Sequence, residues 1–231
     1  GLGNLTSALY VTPVTEDLNL SRGAFSFVFS LRFISSAISS IFLSYFIHKF
    51  EIRKVIGIGC GMLVLAYSMF SVSRGLPLFY MSAIPFGIGI SFNATAVVSI
   101  LIERWFEKHK GLVLGIILAG SGLGGSLFNV IVADWIEKYG WSRSYFLTAL
   151  CLGICAVPVL AIIRNNPADM GLKPYGSEEP EQDGKNNKRV NWEGLTMEEA
   201  LRKPYFYLAA LAIFLVGFLN SPVYTIAPSH L

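Results

Sequence analysis

Long stretches without a charged side chain constrain the fold of this chain more than any other feature of its sequence. Residues 24–47 contain one charged side chain, that of Arg32. Asp, Glu, Lys and Arg are absent from six further runs, at residues 1–15, 55–73, 75–102, 111–133, 144–163 and 204–229. A helix needs about 20 apolar residues to cross a bilayer, and the runs are continuous, unlike the alternating segments of barrel strands. The sequence therefore predicts an all-α membrane protein with seven spanning segments, of which the first is truncated.

The glycine-rich stretch AGSGLGG (119–125) contains the pattern G-x-G-x-x-G, which is typical of dinucleotide-binding sites. That motif follows a strand and opens a helix, whereas this stretch lies inside the apolar run 111–133. Glycines spaced four residues apart let helices approach closely in lipid. We therefore interpret the stretch as a packing surface and predict no cofactor. The residues expected to act in helix packing or gating are Gly111, Gly115, Gly120, Gly122, Gly124, Gly125 and Pro222.

The basic residues predict the orientation of the chain. Most of the 18 Lys and Arg residues lie in the loops 48–54, 103–110 and 164–203. An excess of positive charge marks cytoplasmic loops, so we expect these three loops in the cytoplasm. The protein is then a multi-pass protein of the plasma membrane or of a cell's inner membrane.

The loop 165–203 differs from the others in its mixed charge and its Pro and Gly content, which leave it too little apolar surface to order itself. The pattern TMEE at 196–199 predicts a short amphipathic helix near its end. The chain thus divides into an N-terminal bundle of spans one to six at 1–164, a polar cytoplasmic linker at 165–203 and a seventh span at 204–231.

Three segments resemble the major facilitator superfamily, and within it the group of monocarboxylate transporters and oxalate:formate antiporters. They are EDLNLSRGAFSFVFSLRF (16–33), WFEKHKGLVLGIILAGSGLGG (105–125) and LTMEEALRKPYFYLAALAIFL (195–215). The resemblance implies a protein of two six-helix halves, with substrate bound near the midplane and alternating access by rocking. This chain would supply the first half, the linker and the seventh span, so a C-terminal half of the same protein is expected as its partner.

One loop departs from the superfamily pattern G-x-L-x-D-R-x-G-R-K between spans two and three. SYFIHKFEIRK (44–54) aligns with it, but His48 stands at the position of the Asp, and the basic residues Lys49, Arg53 and Lys54 remain. The resemblance implies that this motif latches the cytoplasmic side, and the substitution puts the usual Asp contact in doubt. His48 either replaces that contact in a pH-dependent way or is a solvated loop residue.

Arg32 is the main candidate for chemistry, because a full charge inside a span is costly and is usually functional. Ser35, Ser36 and Ser39 lie on its helical face and indicate a polar surrounding. A guanidinium group is suited to bidentate binding of a carboxylate. The alternatives are a side chain that extends to the interface or one that makes a fixed structural hydrogen bond.

Four further residues are candidates for the substrate cavity. Tyr10 shares a face of the first span with other hydroxyl residues, and Asn93 bonds either a neighbouring helix or the substrate. In the seventh span, Pro222 permits a break in the helix, and Tyr224 follows it. His230 either donates to an anion, carries a coupled proton, or is an interfacial residue at a helix end.

The sequence as a whole predicts a secondary transporter for small organic anions, monocarboxylates or oxalate- and formate-like compounds, that works by proton symport or anion exchange. A drug or sugar efflux protein of the same fold is the first alternative, and a seven-span receptor or sensor is the second. No enzyme is expected, because no span carries paired carboxylates, a nucleophile with a base, or a metal-spaced His and Cys set. The expected partners are the substrate and the lipid bilayer, with no nucleic acid.

Overall fold

Helices form the regular structure of this protein in the computed structural model, which describes residues 6–176, 207, 208 and 211, and only the backbone of His48. A 3-10 turn at Ser7–Tyr10 leads into the first α-helix, and a second, Pro167–Met170, follows the last. The helices between them are α1 Val11–Asp17, α2 Arg22–Lys49, α3 Ile52–Val72, α4 Leu76–Phe92, α5 Thr95–Trp105 and α6 Lys110–Ile162. The described residues contain no β-strand.

Four helical stretches of the described residues are long and apolar enough to cross a membrane. They are Arg22–Ile47, Ile52–Val72, Leu76–Trp105 and Lys110–Ile162. Many of their large aliphatic side chains face outward, and those of Ile41 and Ile162 are 76% and 78% exposed. Such a surface is unfavourable in water but matches the hydrocarbon of a bilayer. The prediction of an all-α membrane protein is confirmed.

Helix α6 contains a backbone break that allows it to serve as two spans. A straight helix of its 53 residues would measure about 80 Å, more than twice the hydrocarbon thickness of about 30 Å. Gly140 interrupts the helix with φ 79° and ψ 164°, a conformation that is open essentially to glycine alone. We refer below to the part before Gly140 as α6a and to the part after it as α6b.

The break gives a direct prediction for stability. We expect Gly140→Ala to lower the free energy of unfolding by about 1–3 kcal/mol, because a side chain strains this backbone conformation. Gly23→Ala is the matched control, since Gly23 lies in α2 with no heavy atom within 4 Å of an added Cβ. Thermal unfolding of both purified variants makes the comparison. Equal midpoints for the two would contradict the assignment of strain to Gly140.

The helices pack in alternating directions. Helices α2 and α4 run parallel, since Arg32 meets Gly87 and Ser40 bonds Ser91 further along both. Helix α3 is antiparallel to α6b, as the hydrogen bond from Ser142 Oγ to the Ser71 carbonyl oxygen (2.6 Å) joins the end of one to the start of the other.

The buried residues form two clusters. The first contains the large aromatic side chains Tyr10, Phe25, Tyr67, Phe70, Phe79, Phe86, Trp141 and Tyr145. The second is mostly aliphatic and contains Leu43, Ile47, Ile52, Val55, Ile56, Phe92 and Val97. Since an apolar lipid drives no helices together, close packing and buried hydrogen bonds must hold such a bundle, and the aromatic cluster supplies both.

The fourth predicted span is a broken helix. Helix α4 ends at Phe92, Ala94 has an extended backbone with ψ 159°, and α5 starts at Thr95. The Asn93 N–H still bonds the Gly89 carbonyl oxygen at 3.2 Å. Asn93 thus completes the last turn of α4, and the extended backbone of Ala94 ends the helix before α5 begins.

The first part of the predicted linker is ordered by contacts with the bundle. Tyr175 exchanges backbone hydrogen bonds with Trp105 (2.8 Å) and Glu107 (2.9 Å). The Trp105 indole N–H donates to the Arg164 carbonyl oxygen at 3.2 Å. The expectation that polar composition prevents order therefore does not describe residues 165–176. The rest of the linker, the short helix expected near 196–199 and most of the seventh span lie outside the described residues.

Candidate functional site

Arg32 lies in the middle of the bundle and is buried. Its side chain is 7% exposed, and Nη1 donates a hydrogen bond to the Ser7 hydroxyl oxygen at 2.8 Å. Its Nε is buried and has no hydrogen-bond partner. A buried donor without an acceptor is costly, so this guanidinium retains the capacity to bind one more acceptor.

Aromatic rings surround the charge of Arg32. The guanidinium carbon lies 5.0 Å from the ring centroid of Phe29, 5.2 Å from that of Phe33 and 5.0 Å from that of Phe86. A cation is attracted to the face of such a ring. Arg32 also borders a cavity of ≈ 20 Å³, room for about one water, so the charge is enclosed by protein.

Within the described residues, the partners of Arg32 are all neutral. The two ion pairs in the part of the chain that the structure describes, Lys54–Glu51 and Lys138–Asp134, are both exposed and do not involve it. An uncompensated buried charge is expensive. A carboxylate that reached Arg32 would supply the missing countercharge and an acceptor for Nε in one step.

A glycine fixes the position of Arg32 against its neighbouring helix. A Cβ added to Gly87 would lie 2.5 Å from the Arg32 carbonyl oxygen and 2.7 Å from the Ser35 Cβ. The Ser35 hydroxyl donates to the Ile84 carbonyl oxygen at 2.8 Å in the same contact. Gly87 was not among the residues predicted from the sequence; the signal for it is the serine face of α2, which requires a small residue opposite it.

Tyr10 belongs to a buried cluster of hydroxyl groups close to Arg32. Its hydroxyl lies 2.9 Å from the Ser144 Oγ and 3.3 Å from the Thr148 Oγ1. Its ring stacks on Tyr145 with centroids 3.7 Å apart, and Tyr145 borders the cavity beside Arg32. The structure therefore brings Tyr10 and Arg32 into one region. It adds Tyr145 and Ser144, which were not predicted because nothing in the sequence distinguishes them from other residues of the same apolar run.

Asn93 lies apart from this region. Its Nδ2 donates to the Gly89 carbonyl oxygen at 2.9 Å, and its Oδ1 accepts from the Cys60 Sγ at 3.6 Å. It follows Phe86 by seven residues, about 10 Å along a helix, and it does not border the Arg32 cavity. Both halves of its amide are bonded within the bundle, at the break between α4 and α5.

The stretch AGSGLGG lies inside α6a, with no strand before it. This is not the strand-turn-helix context that a dinucleotide site requires. An added Cβ would meet nothing within 4 Å at Gly111, Gly115, Gly120, Gly122 and Gly124, whereas Gly125 is buried. The glycine face is therefore open within the described residues, and its role in helix packing stays a prediction.

The remaining candidates lie at the end of α2 and the start of α3, or outside the described residues. Lys49 Nζ donates to the Tyr45 hydroxyl at 3.0 Å. The Arg53 backbone N–H donates to Asn165 Oδ1 at 3.2 Å, and Lys54 pairs with a carboxylate at 3.7 Å. Pro222, Tyr224, His230 and the side chain of His48 are not among the residues described, so their predicted roles stay predictions.

The described residues contain no group of three or more His, Cys, Asp or Glu side chains that could hold a metal ion. The chemistry available at Arg32 is therefore that of a buried cation, neighbouring hydroxyl groups and aromatic rings. This set can bind and release an anion, but it contains no nucleophile paired with a base.

Comparison with known proteins finds relatives among membrane transporters. The oxalate:formate antiporter of Oxalobacter formigenes is 27% identical over 210 residues, 91% of this chain and 47% of that protein. Monocarboxylate transporter 14 of Mus musculus is 28% identical over 147 residues, 63% of this chain and 28% of that protein. An uncharacterized MFS-type transporter, YcxA of Bacillus subtilis, is 24% identical over 159 residues, 68% of this chain and 39% of that protein. The chain thus spans less than half the length of each of these relatives.

The family model for the Major Facilitator Superfamily matches residues 1–231, the full length of the sequence. The resemblance inferred from three segments is thereby confirmed. The relatives named above are transporters, which agrees with a protein that is not an enzyme and gives no support to a receptor. This chain belongs to the major facilitator superfamily.

Proposed function

We propose that this chain forms half of a secondary carrier that moves small organic anions, monocarboxylates or oxalate- and formate-like compounds, by proton symport or anion exchange. The observation that carries the proposal is the buried Arg32, which has neutral partners and an Nε without an acceptor. The similarity to the oxalate:formate antiporter and to monocarboxylate transporter 14 supports the same substrate class.

In this proposal the substrate carboxylate binds the free edge of the Arg32 guanidinium. Phe29, Phe33 and Phe86 hold the guanidinium and keep water from it. Tyr10 acts indirectly, because its hydroxyl is bonded to α6b and its ring supports Tyr145. Rocking of the two halves opens the site to each side of the membrane in turn.

The other half of the carrier and the seventh span complete the proposed path. Tyr224 and His230 would approach the substrate from the seventh span after the break at Pro222, and Asn93 would face it only if the α4–α5 break opens. His230 is the proposed site of proton coupling. The basic loops and the linker 165–203 face the cytoplasm, and the carrier resides in the plasma or inner membrane.

Transport by the complete carrier in liposomes tests the proposal. Labelled oxalate, lactate and pyruvate are supplied in turn, and counterflow is followed with and without a pH gradient. We expect counterflow of at least one of them, and a fall of about 100-fold in Arg32→Gln, because a charge-assisted contact is lost. Arg22→Gln is the matched control, an exposed arginine at the start of the same helix. Counterflow of none, or an unaffected Arg32→Gln, would refute the carboxylate proposal.

The aromatic surround of Arg32 favours one alternative, an efflux carrier for planar aromatic compounds. This alternative predicts that the liposomes show no carboxylate counterflow. It also predicts that an aromatic compound competes for the site and that Phe86→Leu weakens the competition.

A further inference from the structure

A second concave region lies at the end of the bundle where α1, α3 and α6a finish, and it is separate from the Arg32 cavity. Its volume is ≈ 450 Å³, within the range of small-molecule pockets. Asp17, Arg74, Tyr139, Trp141 and Arg143 line it, with the Gly140 break between them. We call this region the arginine basin.

Two hydrogen bonds and one break build the basin from distant parts of the sequence. Gly140 turns the chain, and the next residues attach to two different elements. The Trp141 indole N–H donates to Asp17 Oδ2 at 2.8 Å, which joins the turn to the end of α1. The bond between Ser142 and Ser71 joins the same turn to the end of α3. Arg143 comes directly after Ser142, and Arg74 comes shortly after Ser71. The hydrogen bond between the two serines therefore holds both arginines at the basin.

The charges of the basin favour an anion. Neither Arg74 nor Arg143 takes part in the ion pairs formed among the described residues. The lining contains two guanidinium groups and one carboxylate, and that carboxylate already accepts the Trp141 hydrogen bond. A concave surface with excess positive charge raises the local concentration of anions, and arginine pairs bind planar oxyanions through parallel hydrogen bonds.

Buried rings separate the basin from Arg32. Trp141 lines the basin and packs against Tyr145, with ring centroids 6.3 Å apart. Tyr145 in turn borders the Arg32 cavity. An anion in the basin is therefore not in contact with Arg32, and the two sites can be tested independently.

We propose that the arginine basin is an oxyanion site, in which Arg74 and Arg143 bind a carboxylate or phosphate group from the aqueous side of the bundle. The group comes either from a free anion in solution or from the headgroup of an anionic lipid. The Gly140 break lies between the two spans of α6, and aromatic residues such as the half-exposed Tyr139 are enriched at membrane interfaces, so both sources reach the basin. The site does not depend on the proposed role of Arg32.

Thermal unfolding of the complete carrier tests the basin, with Arg32→Gln as the background that removes the proposed transport site. In detergent, oxalate or inorganic phosphate is titrated at constant ionic strength, because salt screens exposed charges. We expect the midpoint to rise with anion concentration. Arg74→Gln and Arg143→Gln should each raise the apparent dissociation constant about tenfold. Lys138→Gln is the control, a cation near the same turn that pairs with Asp134 and does not line the basin.

A second arm identifies the source of the oxyanion. The same variants are placed in nanodiscs of phosphatidylcholine with and without phosphatidylglycerol. If the lipid supplies the group, phosphatidylglycerol raises the midpoint, free anions add nothing further, and the double variant of Arg74 and Arg143 loses the effect. If a free anion supplies it, the lipid has no effect. A response to neither, or a response that survives in the double variant, would overturn the site.

Discussion

We expect Arg32→Met to raise the thermal stability of the carrier while it abolishes transport of small carboxylates. Replacement of a buried ionic group by an apolar side chain of similar length is often stabilising, by about 1–4 kcal/mol, and Arg32 lacks a carboxylate partner in the described residues. The cation–π contacts with Phe29, Phe33 and Phe86 offset part of this gain. Transport should fall about 100-fold or more, because the substrate loses its countercharge.

The opposite signs of the two effects make the experiment decisive. If Arg32 is kept for binding at the expense of stability, the protein becomes more stable when it is replaced. If Arg32 is a structural residue, its replacement does not stabilise the protein. Unfolding midpoint and counterflow are measured on the same reconstituted preparations, with Arg22→Met as the control. A variant that loses both stability and transport would show that Arg32 is a structural residue and would remove it from the proposed site.

Gly87→Ala is expected to destabilise the whole bundle. The added Cβ would meet the Arg32 carbonyl oxygen and the Ser36 backbone nitrogen at 2.5 and 2.8 Å. Backbone atoms cannot rotate away as a flexible side chain can, so α2 and α4 must separate. Overpacking of this kind costs about 1–3 kcal/mol or more, and it also displaces Arg32 from Ser7 and its cavity. We therefore expect a lower yield of folded protein and little remaining transport.

Gly61→Ala is the control for this substitution. Gly61 is also inside a helix, α3, but nothing lies within 4 Å of an added Cβ. Alanine is the better helix former by about 1 kcal/mol, so this variant should be at least as stable as the unchanged protein. Size-exclusion profiles and unfolding midpoints separate the two cases. Similar behaviour of both variants would contradict the close approach of α2 and α4.

The spanning segments were predictable because charged side chains are excluded from hydrocarbon. The sequence around Ile58, Phe86 and Ile154 accordingly contains no charged residue. The neighbours of each helix were not predictable, since lipid-facing and buried positions are equally apolar. Ile41 is 76% exposed and Val55 is fully buried, yet both are β-branched aliphatic residues. The periodic contrast that orients a helix in a soluble protein is therefore weak here.

The candidate site was predictable only as a set of separate residues. Arg32 is conspicuous because it is a charge inside an apolar run. Ser144 and Tyr145 are inconspicuous, and their association with Tyr10 joins positions 134 and 135 residues apart in the sequence. The glycine with the tightest helix contact was not predictable either, for the same reason. The glycines of AGSGLGG are conspicuous because they are numerous. Among the described glycines, however, an added Cβ at Gly87 has the closest backbone neighbour, and this contact is visible only in the three-dimensional structure.

The interruption at Ala94 divides the fourth predicted span into two helical segments that are packed to different extents. Its first segment, α4, is anchored along its length to α2 and α3, whereas α5 touches α3 and α6 sparingly. A change in the two backbone torsions of Ala94 would move α5, while the packing of α4 would keep Phe86 against Arg32. Since Trp105 at the far end of α5 is bonded to Arg164 and Tyr175, such a movement would displace these two residues as well. The residues after α6 are thereby attached to a segment that begins about two helical turns after Phe86, which contacts the buried Arg32.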